Sequence, residues 1–131
     1  RAGHLYVRPH MLTLREVLDD AAALEEFAGL ASVDVNARGI TGQTPLHWMA
    51  TLGDASGTEV LLNAGAAIDA QDRDGNTPLH EAIRSRQHMV ARLLVQRGAN
   101  ARMKNALGQT ARDLAERENY SPSMEALRDA V

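Results

Sequence analysis

Apolar side chains along this chain recur with the spacing of helices. The pattern is clearest at Val90, Leu93 and Leu94, which fall on one face of a helix. Glycine closes a helix readily because it adopts the left-handed conformation without strain, and Gly65 and Gly98 stand where two such helices end. The pattern therefore predicts helices that are punctuated by glycine-containing turns.

A second set of helices carries its own start signals. Thr44, Thr77 and Thr110 are of the N-cap type, and Pro45 and Pro78 follow at the first helical position, where a missing N–H costs nothing. The helices that these signals predict cover about 45–52, 78–86 and 111–118. In each unit a second helix is expected to follow, so the chain is expected to be built from helix-turn-helix units.

The same signals return at a fixed interval of 33 residues. Residues 42–50 read GQTPLHWMA, residues 75–82 read GNTPLHEA, and residues 108–113 give the weaker version GQTARD. Within the loops, the Asp-Gly pair at 74–75 predicts a turn. Three registers at one period indicate a repeat architecture rather than a catalytic constellation, because active sites are rarely duplicated in tandem.

With this period and the TPLH-x-A phrase, the chain resembles the ankyrin repeat. The resemblance covers about residues 14–131 and implies an all-α solenoid of about four helix-turn-helix units with hairpin-like loops. Two units are complete and two cap the ends. The implied divisions of the single domain, 1–131, are an N-terminal extension at 1–12, an N-capping unit at 13–38, repeats at 39–71 and 72–104, and a C-capping unit at 105–131.

The end units depart from the repeat, as solenoid ends do, because only one of their faces meets a neighbour. A Thr-x-x-Glu capping box at 13–16 starts a helical pair that is expected over about 14–31. At the other end, Ser-Pro at 121–122 predicts a last helix over about 122–130, with Leu127 packed inward.

The histidine of each TPLH phrase, His47 or His80, has two interpretations. As chemistry, it would be a metal ligand or a base. In ankyrin-like units this histidine instead bonds to the backbone and to the threonine hydroxyl, which ties the helix to the loop. The resemblance implies that structural role here.

Composition narrows the class of protein. A chain of 131 residues, 44% apolar and 24% charged, fits one globular domain. Its net charge of −3, without a run of Lys or Arg, argues against nucleic-acid binding. No apolar run reaches the roughly 18–20 residues of a membrane span, and the absence of cysteine excludes disulfides. We expect a cytoplasmic monomer, although the start at Arg1 leaves a removed signal open.

Motifs of catalysis are missing from the sequence. There is no glycine-rich phosphate loop, nucleophile elbow or HExxH. The carboxylate pairs at 19–20 and 25–26 are adjacent in sequence, and adjacent side chains on a helix point apart. No base is positioned beside a nucleophile, so we expect no enzyme, no cofactor and no metal site.

Stacked units leave the loop tips and the exposed end of each first helix free to vary, and ankyrin-like proteins in general bind other proteins there. The resemblance places the following positions on that concave surface: Arg38, Ile40, Thr41, Gln43, Trp48, Thr51 and Leu52 from the first complete repeat; Gln71, Arg73, Asp74, Asn76, Glu81, Arg84 and Ser85 from the second; and Lys104, Ala106, Leu107, Gln109, Arg117 and Glu118 from the last unit.

Three of these positions, Ile40, Leu52 and Leu107, are apolar where contact with water is expected. Exposed apolar clusters usually contact a partner, and Trp is frequent among interface hot spots, so Trp48 is a fourth candidate. The alternative is that Ile40 and Leu107 cover adjacent loops while Trp48 fills a gap in the core.

The function that these features favour is binding of an unidentified partner protein. One form is a bacterial inhibitor or immunity protein. The thirteen-to-one excess of Arg over Lys is typical of a GC-rich gene and favours a bacterial one, and an acidic N-terminal half suits a stand-alone inhibitor domain. Another form is a regulatory or scaffold fragment of a larger enzyme or effector. The sequence does not name the partner.

The gap in the core that Trp48 could fill is expected at Gly57, because this glycine falls where the next repeat has the core residue Val90. The second helix of that repeat is expected to begin late, at a capping box over 56–59. Gly57→Ala leaves stability unchanged or higher if the site is a plain defect, because Gly costs a helix roughly 0.5–1 kcal/mol relative to Ala. It destabilises the fold if Met49 and Trp48 already occupy the space, and chemical denaturation distinguishes the two outcomes.

Overall fold

The computed structural model describes residues 13–30, 33–117 and 127, and this part of the chain forms helices and no strand. Its α-helices are α1 (Leu14–Ala22), α2 (Pro45–Leu52), α3 (Ala55–Asn63), α4 (Pro78–Arg84), α5 (His88–Gln96) and α6 (Ala111–Arg117), with a 3₁₀ turn at Glu25–Phe27. The all-α prediction is confirmed. None of the described helices has the length and the apolar character needed to cross a membrane.

The helices stack in two rows. α2, α4 and α6 pack side by side as an inner row, α1, α3 and α5 form an outer row, and within a repeat α2 packs on α3 and α4 on α5. One continuous core runs between the rows, and its largest fully buried aliphatic side chains are Val17, Leu46, Leu61, Leu79, Ile83, Val90, Leu94 and Leu127. This arrangement is a solenoid of helical pairs.

Start signals in the sequence place the inner helices correctly. α2 begins at Pro45 after the N-cap Thr44, and α4 begins at Pro78 after the N-cap Thr77. α4 ends at Arg84, two residues earlier than expected, because the backbone turns sharply at Arg86, where φ is 58°.

The N-terminal unit differs from the prediction. Its capping box is present, since the backbone N–H of Thr13 donates to Glu16 at 3.0 Å and the N–H of Glu16 donates to Thr13 at 3.2 Å. The described residues nevertheless hold one α-helix, α1, and then the 3₁₀ turn, instead of a helical pair over 14–31. α1 lies in the outer row against α3, and the turn positions Glu26 against the loop at 39–43.

At the C-terminal end, the prediction that Leu127 packs inward is confirmed, because its side chain is 1% exposed within the core. The helix expected over 122–130 and the extension at 1–12 lie outside the described residues.

Both TPLH histidines are buried braces, as the resemblance implies. The N–H of Thr44 donates to Nδ1 of His47 at 3.0 Å, and Nε2 of His47 lies 2.8 Å from the carbonyl oxygen of Asn76 in the next repeat. His80 repeats this geometry with Thr77 and Gln109, at 3.1 Å and 2.8 Å. A backbone N–H can only donate, so each ring is neutral, with its proton on Nε2.

Burial lowers the pKa of both His47 and His80 below its ordinary value, because desolvation penalises the charged ring. The unfolded chain then takes up protons more readily than the folded one. The stability that the neutral rings provide is present in full above the unfolded pKa, about 6.5, and is lost as the pH falls below it.

Helix α3 begins at Ala55 with Asp54 as its N-cap, and the N–H of Gly57 donates to Oδ1 of Asp54 at 2.8 Å. The predicted late start at the 56–59 capping box is therefore wrong. Asp is among the strongest N-cap residues, and here it starts the helix ahead of Ser56. Gly57 consequently lies inside the first turn of α3.

Met49 fills the space beside Gly57. A Cβ atom placed on Gly57 would come within 2.7 Å of Sδ of Met49 and 3.0 Å of Oδ2 of Asp54. Met49 is 3% exposed and belongs to the core, so its thioether has little room to move. The glycine is therefore matched to a large neighbour on α2.

We expect Gly57→Ala to lower the free energy of unfolding by about 1 kcal/mol, because overpacking outweighs the helix propensity gained. In the background Met49→Leu, which removes the sulfur, the same change should instead be neutral or stabilising. Urea unfolding of the four proteins measures both effects. Stabilisation by Gly57→Ala alone would contradict the packing described here.

Candidate functional site

The loops that join the repeats share one backbone geometry. The N–H of Asp72 donates to the carbonyl of Asn76 at 3.0 Å, and equivalent bonds close the loops at 39–43 and 105–109. Each loop turns at a glycine with positive φ, which at Gly75 is 76°. A side chain at Gly75 would in addition meet the backbone N of Ala106 at 2.7 Å, so the turn and the close approach of loops both require glycine.

Neighbouring loops are joined edge to edge. The N–H of Arg73 donates to the carbonyl of Thr41 at 3.1 Å, and the N–H of Ala106 donates to that of Asp74 at 2.9 Å. Side chains add to these bonds. Arg38 donates to the carbonyls of Gly42, at 2.9 Å, and Gln71, at 2.6 Å.

Gln71 continues the same pattern one repeat later, since its amide donates to the carbonyls of Gly75 and Lys104. The loop tips are thus held as one ladder. Arg38 and Gln71, both predicted as partner-binding residues, take part in holding it.

In the loops at 72–76 and 105–109, a carboxylate or amide of the loop itself accepts two backbone N–H groups. Oδ1 of Asp72 accepts from Asp74 and Asn76, both at 2.9 Å, and Oδ1 of Asn105 accepts from the corresponding residues of the next loop. This side chain fixes the loop from within.

Gly39 occupies the same register in the first loop and has no side chain to offer. The carboxylate of Glu26, 6% exposed, enters from the 3₁₀ turn and accepts the N–H groups of Thr41, at 2.8 Å, and Gln43, at 3.2 Å. A Cβ on Gly39 would overlap the Glu26 side chain. This role of Glu26 is not predicted from the sequence, although one signal is present: in the register of Gly39, Asp72 and Asn105, only the first position lacks a side chain.

Two predicted contact residues are buried instead of free at the surface. Asn76 is 5% exposed and Glu81 is 8% exposed. Glu81 accepts from Nε2 of Gln43 and from Arg84, both at 2.8 Å, and burial raises the pKa of its carboxyl group. Both side chains are held by contacts within or between repeats, so they are less exposed than surface positions, and their part in partner binding stays a prediction.

The apolar candidates are exposed as predicted, at 57% for Ile40, 58% for Leu52 and 80% for Leu107. Adjacent loops therefore do not cover Ile40 and Leu107. Trp48 is half-buried against the core, and its Nε1 is a buried donor with no hydrogen-bond partner among the described residues. Met49, and not Trp48, fills the space at Gly57.

The remaining predicted residues divide by exposure. Thr41, Arg38, Arg73, Asp74, Arg84, Lys104, Ala106 and Arg117 are exposed, whereas Gln43, Thr51, Ser85 and Gln109 are half-buried, and Glu118 lies outside the described residues. We call the loop tips at 38–43, 71–76 and 104–109, with the exposed side chains of α2, α4 and α6, the loop-tip face. Within the described chain, no group of three His, Asp or Glu residues is arranged to hold a metal ion.

Comparison with known families agrees with this geometry. A family model described as ankyrin repeats, in three copies, matches residues 18–105. The chain belongs to the ankyrin-repeat family. Ankyrin repeats are a protein–protein interaction module, so the general class of function predicted from the sequence is supported.

Individual relatives match through part of much larger proteins. Human Rabankyrin-5 is 46% identical over 54 residues, which is 41% of this chain and 5% of that protein. Palmitoyltransferase AKR1 of Saccharomyces cerevisiae is 33% identical over 99 residues, 76% of this chain and 13% of that protein. Palmitoyltransferase ZDHHC13 of Mus musculus is 37% identical over 51 residues, 39% of this chain and 8% of that protein. The chain thus spans only a small fraction of these relatives.

Exchange of the loop carboxylate tests how the first loop is held. Glu26→Ala should lower the free energy of unfolding by about 2 kcal/mol, because two loop N–H groups lose their acceptor. Gly39→Asp should also destabilise, through overlap with Glu26. The double variant removes the overlap with the Glu26 side chain but keeps the overlap with the Glu26 backbone carbonyl oxygen, so its loss should be smaller than the sum of the two single losses without being abolished.

Glu25→Ala, at the exposed neighbouring carboxylate, is the matched control and should change stability little. Urea unfolding of all four variants gives the coupling energy. Additive losses in the double variant would show that Glu26 does not substitute for a side chain at position 39.

Proposed function

We propose that this ankyrin-repeat chain binds a partner protein through its loop-tip face, with Ile40 and Leu52 as apolar contacts. The observation that supports the proposal is their exposure, above half for each side chain, on a loop and a helix end next to loops that hydrogen bonds hold together. Exposed apolar side chains on a fixed surface are typical of interaction sites.

The ladder of loop bonds supports the same proposal energetically. A binding surface that is already ordered loses little conformational entropy on association, so more of the contact energy appears as affinity. Binding then depends on complementarity of shape and charge and requires no catalysis by this chain.

The form of the function favoured by the relatives is a binding segment that serves a larger protein, as regulator or scaffold. In each relative described above, the matching repeats make up at most 13% of the length. The inhibitor or immunity role stays a prediction that no finding tests.

Co-purification from the native host tests the proposed face. Ile40→Asp/Leu52→Asp should abolish capture of the partner that the unaltered chain retains, because two charges replace the apolar contact. Met89→Asp is the matched control, since Met89 is 63% exposed on α5 in the outer row. Equal capture by all three proteins, with helical content preserved, would rule out this face.

A further inference from the structure

A pocket of about 410 Å³ opens at one end of the loop-tip face, beside α4, α6 and the last loop. Its lining consists of Asn76, Arg84, Asn105, Leu107, Gln109, Leu114 and Arg117. Two of these residues are cationic and none is acidic. Asn105 and Leu114 are not among the positions predicted from the sequence to contact a partner, because both are buried.

Hydrogen bonds from the backbone fix the orientation of the amides in this pocket. Oδ1 of Asn105 accepts the N–H groups of Leu107, at 3.0 Å, and Gln109, at 2.9 Å. Its Nδ2 must therefore donate, and it does so to Oδ1 of Asn76 at 3.0 Å and to Oε1 of Gln109 at 3.2 Å.

Because both acceptor oxygens are used in this way, the amide NH₂ groups of Asn76 and Gln109 remain as donors. No hydrogen bond within the described chain engages either group. Water or a ligand is thus left to accept from them.

The two guanidinium groups add further donors. Arg84 and Arg117 stand one repeat apart, on adjacent inner helices, and one nitrogen of Arg84 is engaged by Glu81 at 2.8 Å. Arg117 makes no ion pair or hydrogen bond with another described residue. Every polar side-chain group of the pocket that has no partner among the described residues is therefore a donor, and the guanidinium groups among them carry positive charge.

We propose that this pocket binds the carboxylate of an acidic residue in the partner protein, with Arg117 as its principal contact. The guanidinium fork suits the two oxygens of a carboxylate, and the free amides of Asn76 and Gln109 supply further donors. Leu107 at the rim, 80% exposed, and Leu114 at the base, 6% exposed, provide apolar contact for an adjoining side chain. The inference rests on the proposed function and specifies the chemistry of the partner.

Charge favours a protein carboxylate over a phosphate backbone. The chain as a whole carries a net charge of −3, which repels a polyanion, whereas a single acidic side chain in the pocket experiences mainly the local field of Arg117, because Glu81 already pairs with Arg84. A peptide segment with an acidic residue next to an apolar one fits both properties of the pocket.

Selection from a displayed library of random linear peptides on the full chain provides the test. The selected peptides should be enriched in Asp or Glu beside an apolar residue. Replacing that acid by its amide should weaken binding about tenfold, the typical loss for a charge-assisted hydrogen bond. Arg117→Gln should cause a similar loss.

Arg112→Gln is the matched control, because Arg112 is exposed on the same helix, carries the same charge and does not line the pocket. It should leave the dissociation constant unchanged. Selected peptides without acids, or equal affinities for Arg117→Gln and Arg112→Gln, would overturn the proposal. Stronger competition by inorganic phosphate than by acetate would overturn it in favour of a phosphate ligand.

The same peptides separate this inference from the proposed function. If peptide binding is lost in Ile40→Asp/Leu52→Asp but is unchanged in Arg117→Gln, the loop-tip face remains the binding surface and the carboxylate site is overturned. Binding that responds to neither change overturns both.

Discussion

A neutral imidazole joins each complete repeat to the next. The ring of His47 closes the helix cap with the N–H of Thr44 and at the same time donates to the carbonyl of Asn76, 29 residues further along the chain. That carbonyl also closes its own loop by accepting from Asp72. Cap, loop and neighbouring repeat therefore share one set of hydrogen bonds, and the geometry of the loop-tip face depends on them.

The two ends of the stack complete the helix cap and the loop with other side chains. In the last unit Asp113 replaces the histidine, accepts the N–H of Thr110 at 2.9 Å and remains at the surface. At the other end the carboxylate of Glu26 holds the first loop in place of a side chain at Gly39. At each end an acidic side chain thus supplies the hydrogen-bond acceptor that a histidine or a loop side chain supplies elsewhere in the stack.

Signals within a few residues of a helix start predict the helices that are capped by their own neighbouring residues. Thr-Pro pairs placed α2 and α4, and the exposure of Ile40 and Leu52 followed from the repeat register. Features that depend on a neighbouring repeat or turn are not predicted from the sequence. Burial of Asn76 depends on its bond to Asn105, and the substitution of Glu26 for a side chain at Gly39 depends on a turn that no capping signal predicts. The predicted start of α3 is wrong because Asp54, and not Ser56, caps the helix.

The most direct test of the imidazole link is a pH titration of the His47 and His80 rings by ¹⁵N–¹H nuclear magnetic resonance in the folded chain. Both rings should carry their proton on Nε2 at neutral pH and titrate with a pKa below the ordinary value of about 6.5. Urea unfolding should then show stability falling through the same pH range, partly offset by Glu81, whose raised pKa acts in the opposite direction. Rings protonated on Nδ1, or with a pKa at or above the ordinary value, would contradict the account.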